Sequence, residues 1–164
     1  MEQNLVEMWL KKDPVRWVAG ALAGLFAGAV ALGVSVIAAK SCGTDPMYAL
    51  KFMALPFAGA SAISTEPGVG AVALGVVLFE ALAAFWGVVY AHFTKTNAFW
   101  PLAGMGFTWG AFSWIFWANL YTPAWRPVFE AAPKPGSTFF FCMTYGFALV
   151  SVSVFDRMFR GSSR

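Results

Sequence analysis

Val69 to Phe93 is an apolar run of about 25 residues with a single charge, Glu80, close to its midpoint. A hydrocarbon core about 30 Å thick is crossed by about 20 helical residues at about 1.5 Å each, so this run can span a bilayer alone. A soluble domain has no comparable use for it. The chain is 59% hydrophobic and only 12% charged, with a mean hydropathy of +0.65, against about 45 to 50% and about 25% in soluble proteins. A bilayer absorbs that excess where a globular core cannot.

Three further stretches pass the same test, so spans are expected at 17–39, 69–93, 99–120 and 139–157 of the 164 residues. Backbone groups in lipid must pair within their own segment, which makes the spans helices. The expected fold is all-α, one polytopic domain over 1–164: a four-helix transmembrane bundle with short interfacial helices. A cleaved signal sequence is the alternative for Trp17–Ala39. That run exceeds the usual apolar region of about 7 to 15 residues, and Lys40 stands where a lipoprotein cleavage box wants a small residue.

The ends and connections carry their own signals. Residues 1–12, MEQNLVEMWLKK, set Val6, Trp9 and Leu10 on one side and Glu2, Gln3, Glu7 and Lys11 mostly opposite, the pattern of a helix lying in the headgroup layer. Asp13 and Pro14 read as N-cap and first helical residue of the first span. In the outer connection 40–68, Asp45 and Pro46 repeat that signal before an apolar helix from Met47 to Leu55, and Pro56 is expected to stop it. The following PFAGASAI is too apolar for open water and suits an interfacial or re-entrant segment, which makes Pro56 and Gly59 a candidate pore mouth. Thr94–Ala98 is so short that the second and third spans should form an antiparallel hairpin. The second outer connection, 121–137, is proline-rich.

Small residues mark the packing faces. Gly20, Gly24 and Gly28 recur every four residues in the first span, as do Gly106 and Gly110 in the third. Side chains are missing along those ridges, so another backbone can approach and gain dispersion contacts. The partner of each ridge is open at this level: another span of the chain or another subunit. Each half of the chain repeats the plan of a Trp-led, Gly-rich span, a long connection and a second span, which fits either a parallel internal repeat or simply two similar hairpins. The rings of Trp100, Trp109, Trp114 and Trp117 are expected to face lipid or protein; a quinone or other ligand among them is the weaker alternative.

Eleven Lys and Arg against eight Asp and Glu leave a net charge of +3, scattered and not gathered into a basic patch, so nucleic acid is not an expected partner. Seven basic residues fall on the termini and short loop (Lys11, Lys12, Arg16, Lys95, Arg157, Arg160, Arg164) and four on the longer connections (Lys40, Lys51, Arg126, Lys134). The positive-inside rule then places both termini in the cytoplasm.

Chemistry has few candidates. Glu80 shares a helix face with Ala73, Val76, Val77, Ala83, Ala84, Gly87 and Ala91, so it should point into the bundle beside a close neighbour. An acidic residue at midplane costs roughly 2.5 to 3.5 kcal/mol on insertion scales, which the rest of the span can offset. Two readings are open: a functional intramembrane carboxyl, or a structural hydrogen bond to Ser35, Thr108, Ser113, Thr144 or Tyr145. His92 alone cannot build a metal or haem site and reads as an interfacial tip. Cys42 and Cys142 both fall towards the outer side and are expected to be two thiols, with a disulfide the alternative. No phosphate loop, nucleophile elbow or paired carboxylates occur, so no metal, cofactor or enzymatic activity is expected.

The opening span GALAGLFAGAV, the hairpin VVYAHFTKTNAFWPLAG and the third span running into NLYTPAW resemble YagU-like bacterial inner-membrane proteins. The resemblance covers about half the chain and implies a multi-pass protein of the bacterial cytoplasmic membrane without established catalytic residues. The leading expectation is a non-catalytic accessory or scaffold subunit, in contact with lipid and with other membrane subunits or copies of itself. The alternative is a small-solute or proton-conducting channel or transporter using Glu80.

Overall fold

The computed structural model of the protein describes residues 12–43, 45–59, 62, 69–121 and 135–161. Most of residues 1–12, the segment after Gly59 and most of 121–137 lie outside them, and so do the expectations that fall there. With apolar side chains on nearly every face, backbone groups find partners only within helices, and no strand occurs among the described residues. We name the helices α1 (Pro14–Ser41), α2 (Tyr48–Ala58), α3 (Val69–Phe93), α4 (Phe99–Phe116), α5 (Pro135–Ala148) and α6 (Val152–Gly161). A wider turn, Trp117–Tyr121, prolongs α4, and a tighter one, Leu149–Ser151, joins α5 to α6.

Among the described residues, three stretches are long and apolar enough to cross a membrane: α1 with 28 residues, α3 with 25, and the α5–α6 helix over Thr138–Gly161 with 24. The 18-residue α4 is apolar too but rich in tryptophan. Asp13 caps α1, its carboxylate accepting the Arg16 N–H at 3.1 Å, and Pro14 takes the first turn, where its missing N–H costs nothing. Helix α2 runs two residues past Pro56, which sits in its last turn, and ends where Gly59 adopts a positive φ of 64°. Proline there forfeits only one hydrogen bond of an already fraying turn.

Glycine decides which helices touch. A Cβ at Gly24 would fall on the Ala83 carbonyl, and one at Gly87 on Gly20 and Gly24, so α1 and α3 lie backbone against backbone. Gly106 and Gly110 meet Gly146 and Cys142 in the same way, locking α4 to α5. Each half of the chain therefore holds one close pair, and α1 also packs on α5 and α6. Gly75 receives the Leu50 backbone, seating α2 on the far end of α3.

The hairpin of α3 and α4 is built differently. Only residues 94–98 join the two helices, yet they meet mainly through rings. Trp86 packs edge-on against Trp109, Phe112 and Phe116 with centroids 5.7, 6.2 and 6.0 Å away. The buried Tyr90 donates its hydroxyl to the Leu102 carbonyl at 2.8 Å. Bulky side chains act as spacers here, so a short loop does not give close backbone packing.

Candidate functional site

Two polar places stand out in this apolar body. The first is Glu80, on the turn of α3 that faces Gly28 of α1. Its Oε2 is fully enclosed and has no hydrogen-bond partner among the described residues. A Cβ on Gly28 would come within 2.9 Å of that oxygen, so the carboxyl in this position depends on glycine having no side chain. The stem of the side chain is half-buried at the seam between the helices.

The structural hydrogen bond considered for Glu80 is not formed by Oε2 among the described residues, and three of the five hydroxyls considered are engaged elsewhere. Thr108 donates to the Gly104 carbonyl at 3.1 Å and Thr144 to Phe140 at 2.8 Å, each one turn back on its own helix. Tyr145 reaches across from α5, but its hydroxyl donates to the Ala83 carbonyl at 2.7 Å. A carbonyl one turn back lies within easy reach of a Ser or Thr hydroxyl on a helix, which is where Thr108 and Thr144 donate. Below Tyr145, a cleft of about 30 Å³ opens between Phe79, Trp86, Ser113, Trp117, Phe141 and Cys142. That is water-sized. Trp109 Nε1 and Ser151 Oγ are also enclosed without a partner among the described residues.

The second place is a network at the end of the bundle where the chain enters α1. Arg16 is 4% exposed, and its guanidinium holds three elements together. Nε donates to the Thr94 carbonyl at 3.0 Å, Nη2 to the Thr96 carbonyl at 2.7 Å, and Nη1 to Asn97 Oδ1. The same Nη1 pairs with Asp156 Oδ2 at 3.2 Å, and Asn97 Nδ2 donates to that oxygen at 2.8 Å. Arg160 bonds both Asp156 oxygens at 3.1 Å and also pairs with Asp13, while Arg157 Nη2 donates to the Asn97 carbonyl at 3.1 Å. The planar fork of arginine suits this task, since its fixed donors meet several acceptors at once.

Electrostatics at this end follow from the pairing. Burial works to raise the Asp13 carboxyl, but the Arg16 N–H and the Arg160 guanidinium outweigh it and hold it below the ordinary range. Partial burial and the Arg16 charge push Lys95 down against the pull of Asp13. Alongside, Trp17 Nε1 donates to His92 Nδ1 at 3.2 Å, which orients the imidazole on the α1–α3 seam.

Sequence reasoning singled out Glu80 and the glycines but treated Arg16, Asp156, Arg157 and Arg160 only as end charges. The available signal was Asp156, the single acidic residue of the last expected span, at its end. Of the candidate pore mouth, Pro56 is half-buried and Gly59 exposed at the end of α2. Cys42 is an exposed free thiol and Cys142 a buried one. No group of three or more His, Cys, Asp and Glu that could hold a metal ion occurs among the described residues. Compared with known proteins, the chain matches no family model, no curated protein and no solved structure.

Proposed function

We propose that the chain is a four-helix integral membrane protein without catalytic activity that serves as an accessory or scaffold subunit of a membrane assembly. In this reading α4 and its extension form the fourth span. No charged residue lies between Phe99 and Leu120, Gly106 and Gly110 seat the helix on α5, and exposed Phe99 and Trp100 mark one headgroup level. Arg16, Lys95, Arg157 and Arg160 then belong to the cytoplasmic end. The bacterial cytoplasmic membrane is the setting that the YagU-like resemblance implies.

The observation that carries the reading is close internal packing. Both glycine ridges are consumed within the chain, backbone on backbone, and Arg16 ties the entrance of α1 to the 94–97 loop and to α6. A carrier needs helices that slide or rock, and a solute path needs more room than a water-sized cleft. A closely packed body with exposed α4 rings such as Phe107 and Phe112 turned outward suits a scaffold. Purification in mild detergent is expected to yield a larger membrane assembly or a homo-oligomer. A well-behaved monomer in several gentle detergents overturns the proposal.

The enclosed, unpartnered Oε2 of Glu80 favours one second reading, a small-solute or proton route. The small free volume argues for the proton over any solute. Proton flux into liposomes that Glu80→Gln abolishes supports that route, and flux that the substitution leaves unchanged removes it.

A further inference from the structure

We propose that Glu80 and Gly28 form a proton-binding site at the middle of the membrane, with the carboxyl held between α1 and α3 as the neutral acid. The inference rests on the membrane-bundle reading but not on the accessory role, and it requires no transport.

The argument is one of missing partners. Oε2 is fully enclosed and accepts no hydrogen bond from the described residues. On α1 its neighbour is Gly28, in a ridge of Gly20, Ala23, Gly24, Ala27 and Ala31 that carries no titratable group. The nearest charges along α1 are Arg16 and Lys40, each about 18 Å away by helical rise, and Arg16 is committed to Asp156. From α5 come the hydroxyl of Tyr145, bonded to Ala83, and the buried thiol of Cys142. From its own helix come Phe79 and Ala83. Helix α2, seated at Gly75, brings Lys51, which is paired with Asp45. Among the described residues a carboxylate at this place would have neither a free countercharge nor a donor, in surroundings that solvate it poorly. Adding one proton removes the charge and leaves a small dipolar group that fits the space glycine provides.

Gly28 makes the site specific. A methyl there would contact Oε2 at about the limit a Cβ tolerates, and the flexible carboxyl would give way before any backbone did. Gly28→Ala therefore displaces the acid from its enclosure and leaves the α1–α3 seam closed at Gly20 and Gly24.

The test uses the full chain in phosphatidylcholine nanodiscs at neutral pH. Infrared spectra of the wild type are expected to show the carbonyl stretch of a protonated carboxylic acid, absent from Glu80→Gln. A hydrophobic carbodiimide, which reacts with acids in their neutral form, is expected to modify Glu80 and to do so several-fold faster in Gly28→Ala. Spectra of wild type and Glu80→Gln that agree throughout the acid region, with only carboxylate present, overturn the proposal, as does carbodiimide labelling that Gly28→Ala leaves unchanged. Slow amide exchange of the helices in heavy water confirms in the same sample that the bundle lies in lipid. Rapid exchange throughout removes the membrane reading, and the inference with it.

Discussion

Arg16 Nη1 lies 3.2 Å from Asp156 Oδ2 across the seam between the first and last helices, with the two side chains 5% and 1% exposed. Without Arg16, Asp156 keeps Arg160 and Asn97 as partners, so the loss falls below the about 3 to 5 kcal/mol of a fully orphaned buried charge. Arg16→Met should lower stability by about 1 to 3 kcal/mol, because it strips buried donors from Thr94, Thr96 and Asn97. Arg16→Lys restores the charge but not the fork, so it should recover only part of the loss. Denaturant unfolding in mixed micelles measures both. An Arg16→Met variant within about 0.5 kcal/mol of wild type, the range of ordinary surface substitutions, contradicts the network.

The glycine ridges predict a sharp contrast within one helix. At Gly24 a Cβ would strike the backbone of Ala83, whereas at Gly33 it would meet nothing within 4 Å. Gly24→Ala should therefore be destabilising by about 1 to 3 kcal/mol, the usual cost of overpacking. Gly33→Ala should be neutral or stabilising by up to about 1 kcal/mol through helix propensity. The same unfolding assay decides, and equal effects at the two positions would mean that the ridge carries no special contact.

Much of this architecture is legible in the sequence because lipid makes apolar length and small-residue spacing so informative. Val69–Phe93 forms one helix over the run marked by its apolar length, and Asp13–Pro14 opens α1 as a cap and first turn. The partner of the Gly20–Gly24–Gly28 ridge was not legible, since spacing marks a face and not its mate. The ring-spaced α3–α4 hairpin was not either, because loop length fixes connectivity but not interaxial distance. The Arg16 network was hidden for a different reason. Asp13 and Arg160 stand 147 positions apart, and end charges look solvated until the fold brings them together. Glu80 was visible as costly, but its lack of a partner depends on which carbonyls capture Tyr145, Thr108 and Thr144.

Acid sensitivity should appear at the opposite end of the bundle. The Lys51 ammonium hydrogen-bonds Asp45, and with the Met47 N–H it holds that carboxyl below its ordinary value despite partial burial. A depressed folded-state value means that the stabilisation is present above the ordinary carboxyl range, about 3.9, and is lost as pH falls through the folded value. Asp45 is 41% exposed, so the effect is modest. Wild type should melt higher than Asp45→Asn near pH 6, and the difference should vanish towards pH 3. A difference that persists unchanged in acid would show that the pair contributes through something other than charge.

Cysteine chemistry gives a direct check on orientation. Helix α1 is 28 residues long, so the exposed Cys42 lies about 42 Å by helical rise from the end that holds Asp13 and Arg16. If the arginine network lies on the cytoplasmic side, as proposed from the positive-inside count, Cys42 emerges on the outer face. A membrane-impermeant maleimide applied to intact spheroplasts should therefore label Cys42. Cys142 is 2% exposed, against the Gly110 stretch of α4, and should stay unlabelled until the bundle is unfolded in detergent, because a buried thiol meets neither reagent nor the water that helps form its reactive thiolate. Single-cysteine variants, Cys42→Ser and Cys142→Ser, separate the two signals. Labelling of Cys42 only in inverted vesicles would reverse the assigned orientation, and labelling of Cys142 in the folded chain would show that α4 and α5 are not locked at Gly110 as described.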